Sequence, residues 1–451
     1  MHKKQAFDLT QGSTSRHMMR MLTPFWLAIM AMMSAGIVDT IYLGRLSTDA
    51  LATIGFCFPI LFLGSSVNIG LGAGTLSAIS RAIGRKDFGE ARALGASALL
   101  LSLTIMSVLS ILILITMPFI LDTMNIGSDI KPFALKYLVY TVPGLVVLGV
   151  AMMSNNIIRA GGEAALPSTI MITSAVANII IDPFLIFGIG PFPRMEIEGA
   201  ALATLISNFI AAGFGLFAVL YLRKSIEFAN LTWARVKREW YVISRVGLPA
   251  IGTNVIVPIS AYIITAIIGH TMGKTEIAAF TITGRVEMLS IALLYALSAC
   301  IGVVTGQNGG AGLTDRVRGT FIFSYKICVY WALFISVVLA IFARYIPAIF
   351  TTDAQVIALA MPYFWIVPIT LAGYGFVFVS AAGLNALGRP KYGLIFTLIR
   401  SLGLMLPLIW FGAHVYGMVG VYYAVAAANI LSGVISILYT LKRVPMTVSV
   451  H

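Results

Sequence analysis

Three carboxylates fall inside stretches that are otherwise apolar: Asp39, Asp182 and Glu287. An ionisable side chain in such a setting is costly and is read as a functional site by default. Asp39 lies in PFWLAIMAMMSAGIVDTIYLG, Pro24 to Gly44. Asp182 lies in SAVANIIIDPFLIFG, with Asn178 four residues before it, so the two side chains share one helix face. Pro183 follows, and the break a proline makes frees local carbonyls that need a partner. Thr204, in GAALATLIS, offers a hydroxyl among small residues. Asp39, Asn178, Asp182 and Thr204 thus present oxygen atoms of three kinds. Two carboxylates in a low-dielectric cavity repel each other, so the set can take up and release a proton. It can equally cage a sodium ion, and the residues alone do not choose between these.

Each residue also has a plainer reading. A membrane aspartate can staple helices, Asn178 alone can make an interhelical hydrogen bond, and Thr204 alone can be a small packing residue. Arg285 and Glu287 in TGRVEML read as a local ion pair near a helix end. Asn155, in MMSNNIIRAGG, either lines a cavity or caps its span. Pro24 precedes Asp39 by about 22 Å at helical rise. It permits a bend in that helix, which is either a gate responding to Asp39 or a static kink.

The elements that hold these groups follow from composition. The chain has 451 residues, 59% of them hydrophobic and only 10% charged, against about 25% charged in soluble domains. The class is a polytopic membrane protein. Its apolar runs are long and continuous, so the spans are helices rather than the short alternating strands of a barrel. Twelve spans are expected, at 21–44, 50–80, 93–120, 132–157, 166–190, 199–222, 247–272, 276–305, 319–350, 356–387, 393–415 and 417–441. The net charge of +13 reflects topology, not nucleic-acid binding. Most Lys and Arg fall in alternate connections, among them Arg16, Arg85, Arg238, Arg316, Arg389 and Arg443, which places both termini in the cytoplasm. No cleaved signal peptide is expected. Cys57, Cys300 and Cys328 lie far apart in apolar runs and read as buried free thiols.

The chain divides into residues 1–222, a cytoplasmic linker 223–246 and residues 247–451. The linker, with Trp233 and Trp240, reads as an amphipathic connection at the membrane surface. The two halves repeat. Pro24 and Gly44 match Pro249 and Gly269 at a constant offset, and GAALATLISN from Gly199 matches GVYYAVAAAN from Gly420. Six spans per half give parallel repeats, an architecture of transporters with a central cavity between two lobes. At the positions matching Asp182 and Thr204 the second half has Leu406 and Val425, and Asp39 maps onto the apolar run Tyr262 to Ile268. A single coupling-ion site in the N-terminal lobe is therefore expected.

These residues resemble the multidrug and toxic compound extrusion family, cation-coupled drug antiporters of twelve helices in two six-helix lobes. The resemblance covers essentially the whole chain. It rests on the pattern from Pro24 through DTIYLGRLSTDALA, the loop RAIGRKDFGEAR, the stretch IIRAGGEAALPSTIMITSAVANIIIDP and GAALATLISN. It is similar to the DinF-type branch, which implies a cation site at Asp39, Asn178, Asp182 and Thr204. The tenth span carries no carboxylate, unlike the NorM-type branch. The resemblance implies a monomeric protein of the bacterial inner membrane exporting small amphipathic, often cationic drugs against inward proton flow. Sodium coupling is the alternative. A lipid-linked oligosaccharide flippase ranks lower, because cations within the spans are few and scattered. An enzyme is not expected: His17, His270 and His414 pair with no acid or cysteine at metal or nucleophile spacing. No cofactor or resident metal is expected, and no phosphate-binding loop suggests ATP drive.

Overall fold

The computed structural model describes residues 8–124, 130–228 and 231–448. Its helices run, in order, α1 (Thr14–Leu46), α2 (Thr48–Gly84), α3 (Phe88–Thr123), α4 (Lys131–Ala160), α5 (Ala165–Phe187), α6 (Glu196–Phe217), α7 (Trp233–Thr271), α8 (Lys274–Ser290), α9 (Ala292–Gly310), α10 (Thr314–Ile341), α11 (Tyr345–Phe350), α12 (Ala354–Ile366), α13 (Leu371–Ala386), α14 (Pro390–Leu398) and α15 (Leu406–Val448). No strand occurs among the described residues. Eleven helical stretches there are long and apolar enough to cross a membrane. The last, Pro390–Val444, is two spans. Gly417 interrupts it at φ 59° and ψ −141°, a region essentially closed to residues with a Cβ. On either side, Gly412 and Gly420 meet backbone to backbone, leaving no room for a side chain. The twelve expected spans and the all-helical fold are thus present.

Polar residues are absorbed locally. Asp87 caps α3 by accepting from the Glu90 N–H at 2.8 Å, and Asp353 caps α12 from the Gln355 N–H. Ser66, Thr75 and Thr305 donate to the carbonyls of Phe62, Leu71 and Ile301 one turn earlier, so their hydroxyls need no outside partner.

The chain packs as two compact units. Among the described residues, one comprises Thr23–Ile251 and the other Leu9–Leu22 with the chain from Gly252 onward. In the first, Leu94, Leu101, Met153 and Ile157 form one apolar core, and Met106, Leu138, Ile186 and Ile197 form another. In the second, Val356, Phe364, Ile409 and Tyr422 share a core.

The segment read as a linker packs into the first unit. Trp240 donates its indole N–H to the Ser97 carbonyl at 3.0 Å, and the buried Glu239 accepts from Ser97 and from Arg235. The helix expected from residue 247 therefore begins at Trp233 and changes unit at Ile251. Two long helices are shared in this way. α1 changes unit at Thr23, beside Pro24, and α7 just after Pro249. All three cysteines are buried, and none of them is in a disulfide.

Candidate functional site

α5 ends cleanly because Gly188 adopts the left-handed conformation (φ 70°, ψ 48°) and returns its N–H to Phe184. The chain can then fold back as α6 along α5. Gly199 permits the contact: a Cβ there would sit 2.5 Å from the Leu185 carbonyl oxygen. Further along, the Ser174 hydroxyl donates to the Ser207 carbonyl at 3.0 Å. These two anchors set the register of α5 against α6. They put Thr204 roughly level with Asn178, although no hydrogen bond joins Thr204 to the carboxylates. α4 packs against both helices.

Asp182 is completely buried on α5. Its Oδ1 accepts from Asn178 Nδ2 at 3.2 Å, as their four-residue spacing implies. Its Oδ2 is buried without a protein partner, and so is Oδ1 of Asp39 on α1. Asp39 and Asp182 lie within electrostatic reach of each other. Both also act on Tyr137 of α4, which the sequence reading did not single out. Tyr137 is buried, and Thr141 one turn on donates back to its carbonyl at 2.9 Å. The hydrogen-bonded pair of the site is Asn178 and Asp182 on α5, with Asp39 of α1 and Tyr137 of α4 within electrostatic reach.

Leaving a buried carboxylate oxygen unsatisfied costs at least about 1–3 kcal/mol. A proton or a hard cation held there would remove that cost, and carboxylate, amide and hydroxyl oxygens are suitable ligands for either. No group of three or more His, Cys, Asp or Glu gathers as a metal site among the described residues.

Pro24 lies within the continuous helix α1, where it cannot donate to the carbonyl one turn earlier. Asn155 lies inside α4 rather than at its end. Its Oδ1 is buried without a protein partner. The expected Arg285–Glu287 ion pair is absent. Glu287 instead accepts from the Tyr363 hydroxyl at 2.8 Å, because α8 packs against α12 and brings a donor to it.

A polar network also occupies the second unit. Arg400 is 4% exposed, with its guanidinium 3.5 Å from the centre of the Tyr374 ring. Its Nε donates to Asn429 Oδ1 at 3.0 Å, and Asn429 Nδ2 donates to Thr370 Oγ1. Tyr374 and Tyr295 flank Phe378, at ring separations of 4.5 and 4.7 Å. Arg400 sits in a π-helical turn, Ile399–Met405, a local irregularity frequent at functional sites. It makes no ion pair among the described residues. The sequence shows an arginine in a span, but only the fold supplies its aromatic and amide partners.

A family profile, MatE, matches residues 24–184 and 249–411, two stretches that open on Pro24 and Pro249. The chain belongs to this family of membrane transporters. It is 32% identical to a protein named FAD transporter from Shewanella oneidensis, across 96% of this chain and 95% of that one. It is 24% identical to the probable multidrug resistance protein NorM of Thermotoga maritima, over 90% and 88% of the two chains. Among solved structures, the Vibrio cholerae MATE transporter VcmN in the bent form superposes with a TM-score of 0.90 at 23% identity, covering 96% of this chain and 97% of that one. A multidrug resistance MATE family transporter of the MOP superfamily, in its outward-facing conformation, gives a TM-score of 0.94 at 22% identity with 99% of each chain covered. These structures share the fold.

Proposed function

We propose that the chain is a proton-coupled multidrug antiporter of the DinF-type branch, exporting amphipathic and cationic compounds across the bacterial inner membrane as a monomer with both termini cytoplasmic. The observation that carries this reading is the pair of buried, unpartnered carboxylate oxygens on Asp39 and Asp182, in one half of a duplicated fold. A proton arriving at Asp39 lowers the charge of the carboxylate pair and changes what α1 prefers to pack against. Pro24 is where α1 can bend in response. Coupling follows if the proton favours one conformation over the other and the drug favours the reverse.

The test is drug flux in proteoliposomes under a pH gradient or a sodium gradient, imposed separately, for wild type and Asp39→Asn. Flux driven by the pH gradient alone and lost in the variant is expected. A sodium requirement would recast the same four residues as a sodium cage, and flux under neither gradient would favour the flippase reading.

A second reading is export of an aromatic anion of the flavin-dinucleotide type. It is favoured by the name of the Shewanella oneidensis relative and by Arg400, a buried cation with stacked aromatic rings and no carboxylate partner. The coupling site would be the same.

A further inference from the structure

The N-terminal segment ahead of α1 is held by the second unit, whereas Asp39, further along the same helix, belongs to the first. The hold is specific. Arg316, in the first turn of α10, donates from Nη1 to the Gly12 carbonyl at 2.7 Å. Its Nη2 donates to the carbonyls of Leu9 at 2.9 Å and Gln11 at 3.3 Å. Its Nε is fixed by Asn308 Oδ1 at 2.7 Å, and Asn308 Nδ2 donates to the Leu9 carbonyl as well. The Leu9 N–H is taken by Gln307 Oε1 at 3.1 Å. Leu9–Gly12 is thus a strap whose carbonyls converge on one guanidinium, closed by Gly12 in the left-handed conformation at φ 70°. His17, one turn into α1, adds a bond from its Nε2 to the Gln11 carbonyl. Met18, Met21 and Leu22 are buried in the same unit.

We propose that Arg316 is a positioning residue for transport: by clamping Leu9–Gly12 it fixes the N-terminal end of α1 on the second unit, so that a change at Asp39 is taken up as bending at Pro24. The physical argument is one of leverage. A helix gripped at one end and pushed near the other must flex where its hydrogen-bond ladder is weakest. Pro24 supplies that weak point one residue past the change of unit. With the end released, the same push swings or frays the first turns and does no work. Arginine suits the task because its planar fork serves several oxygens at once, which a lysine point charge cannot. The proposal rests on the antiporter reading of Asp39.

The test uses the full-length protein in proteoliposomes and reads two quantities. The first is amide hydrogen exchange over Leu9–Leu22. The second is drug counterflow without an imposed gradient, resolved into KM and turnover. Arg316→Ala should raise exchange over the strap at least about tenfold, the loss of one charge-assisted hydrogen bond or more. It should also cut turnover with KM unchanged, and Arg316→Lys should restore little of either. Gly12→Val strains the strap from the other side while leaving Arg316 in place. It should reproduce both changes, and the double variant should be no worse than the more severe single one. Unchanged exchange in Arg316→Ala would overturn the proposal, as would raised exchange with normal turnover, or losses that simply add in the double variant. If Arg316→Ala does not fold, Gly12→Val alone decides: raised exchange with normal turnover refutes the clamp. Counterflow needs no ion gradient, so failure of the proton-coupling reading appears separately, as wild-type flux indifferent to pH.

Discussion

Gly199 offers a direct test of how finely the α5–α6 contact sets the site. In Gly199→Ala the new Cβ would lie 2.5 Å from the Leu185 oxygen and 2.6 Å from its carbonyl carbon, where ordinary contact begins at 3.4 Å. The obstacle is backbone, so no rotamer change relieves it, and the helices must part by roughly 0.9 Å at that point. Overpacking of this kind costs about 1–3 kcal/mol. If the pair pivots on the Ser174–Ser207 hydrogen bond, the displacement shrinks with distance from Leu185. Asp182 lies about 12 Å from Ser174 out of about 16 Å to Leu185, so its carboxylate shifts by roughly 0.6–0.7 Å. Functional constellations tolerate about 0.5 Å. Coupled flux should therefore fall more steeply than thermal stability in detergent. Gly213→Ala is the control: it lies on the same helix with open space around its Cβ position and should be neutral or slightly stabilising. Gly199→Ala transporting as well as Gly213→Ala would refute the argument that this contact positions Asp182.

Two further substitutions probe the second unit. Gly417→Val forces a side chain onto φ 59°, ψ −141° and should cost about 1–3 kcal/mol, read as a lower unfolding temperature in detergent. Nothing lies within 4 Å of the Cβ position, so the loss would be backbone strain alone. Arg400→Lys keeps the charge but loses the fork that meets Asn429 and the flat contact with Tyr374. On the anionic-substrate reading, uptake of FAD into inverted vesicles should drop about tenfold or more, the loss of one hydrogen bond to a charged group, while cationic drug export is unchanged. Equal loss of both would remove the support Arg400 gives to an anionic substrate.

Hydropathy made the helices legible, because a span in lipid must be long, apolar and internally hydrogen-bonded. It could not show that the span from Ala354 to Ala386 is broken by a 3₁₀ turn at Pro368–Thr370, since hydropathy averaged over a span passes over three residues. Nor could it show that α7 starts at Trp233. The polar stretch before residue 247 joins the helix because Ser97 and Arg235 satisfy Glu239 and Trp240. In the site, Asp39 and Asp182 stood out because charge is rare in such segments, and the Asn178–Asp182 pairing followed from helical spacing. Tyr137 was hidden among ordinary apolar neighbours, and its coming within electrostatic reach of the carboxylates depends on how α4 packs in the fold. Glu287 found a partner on α12 rather than on its own helix, again a matter of register between helices.

The strap also orders events during synthesis. Leu9 leaves the ribosome early, but Gln307, which takes its N–H, is 298 residues further along the chain. At roughly 5–20 residues per second, about 15–60 s of elongation separate the two. Through that interval α1 has only the first unit to pack against, from Thr23 onward, with Leu9–Gly12 unclaimed. The first helix to be made is thus fastened only once α9 has been made, and a nascent chain arrested before α9 would present its N-terminal end unbound.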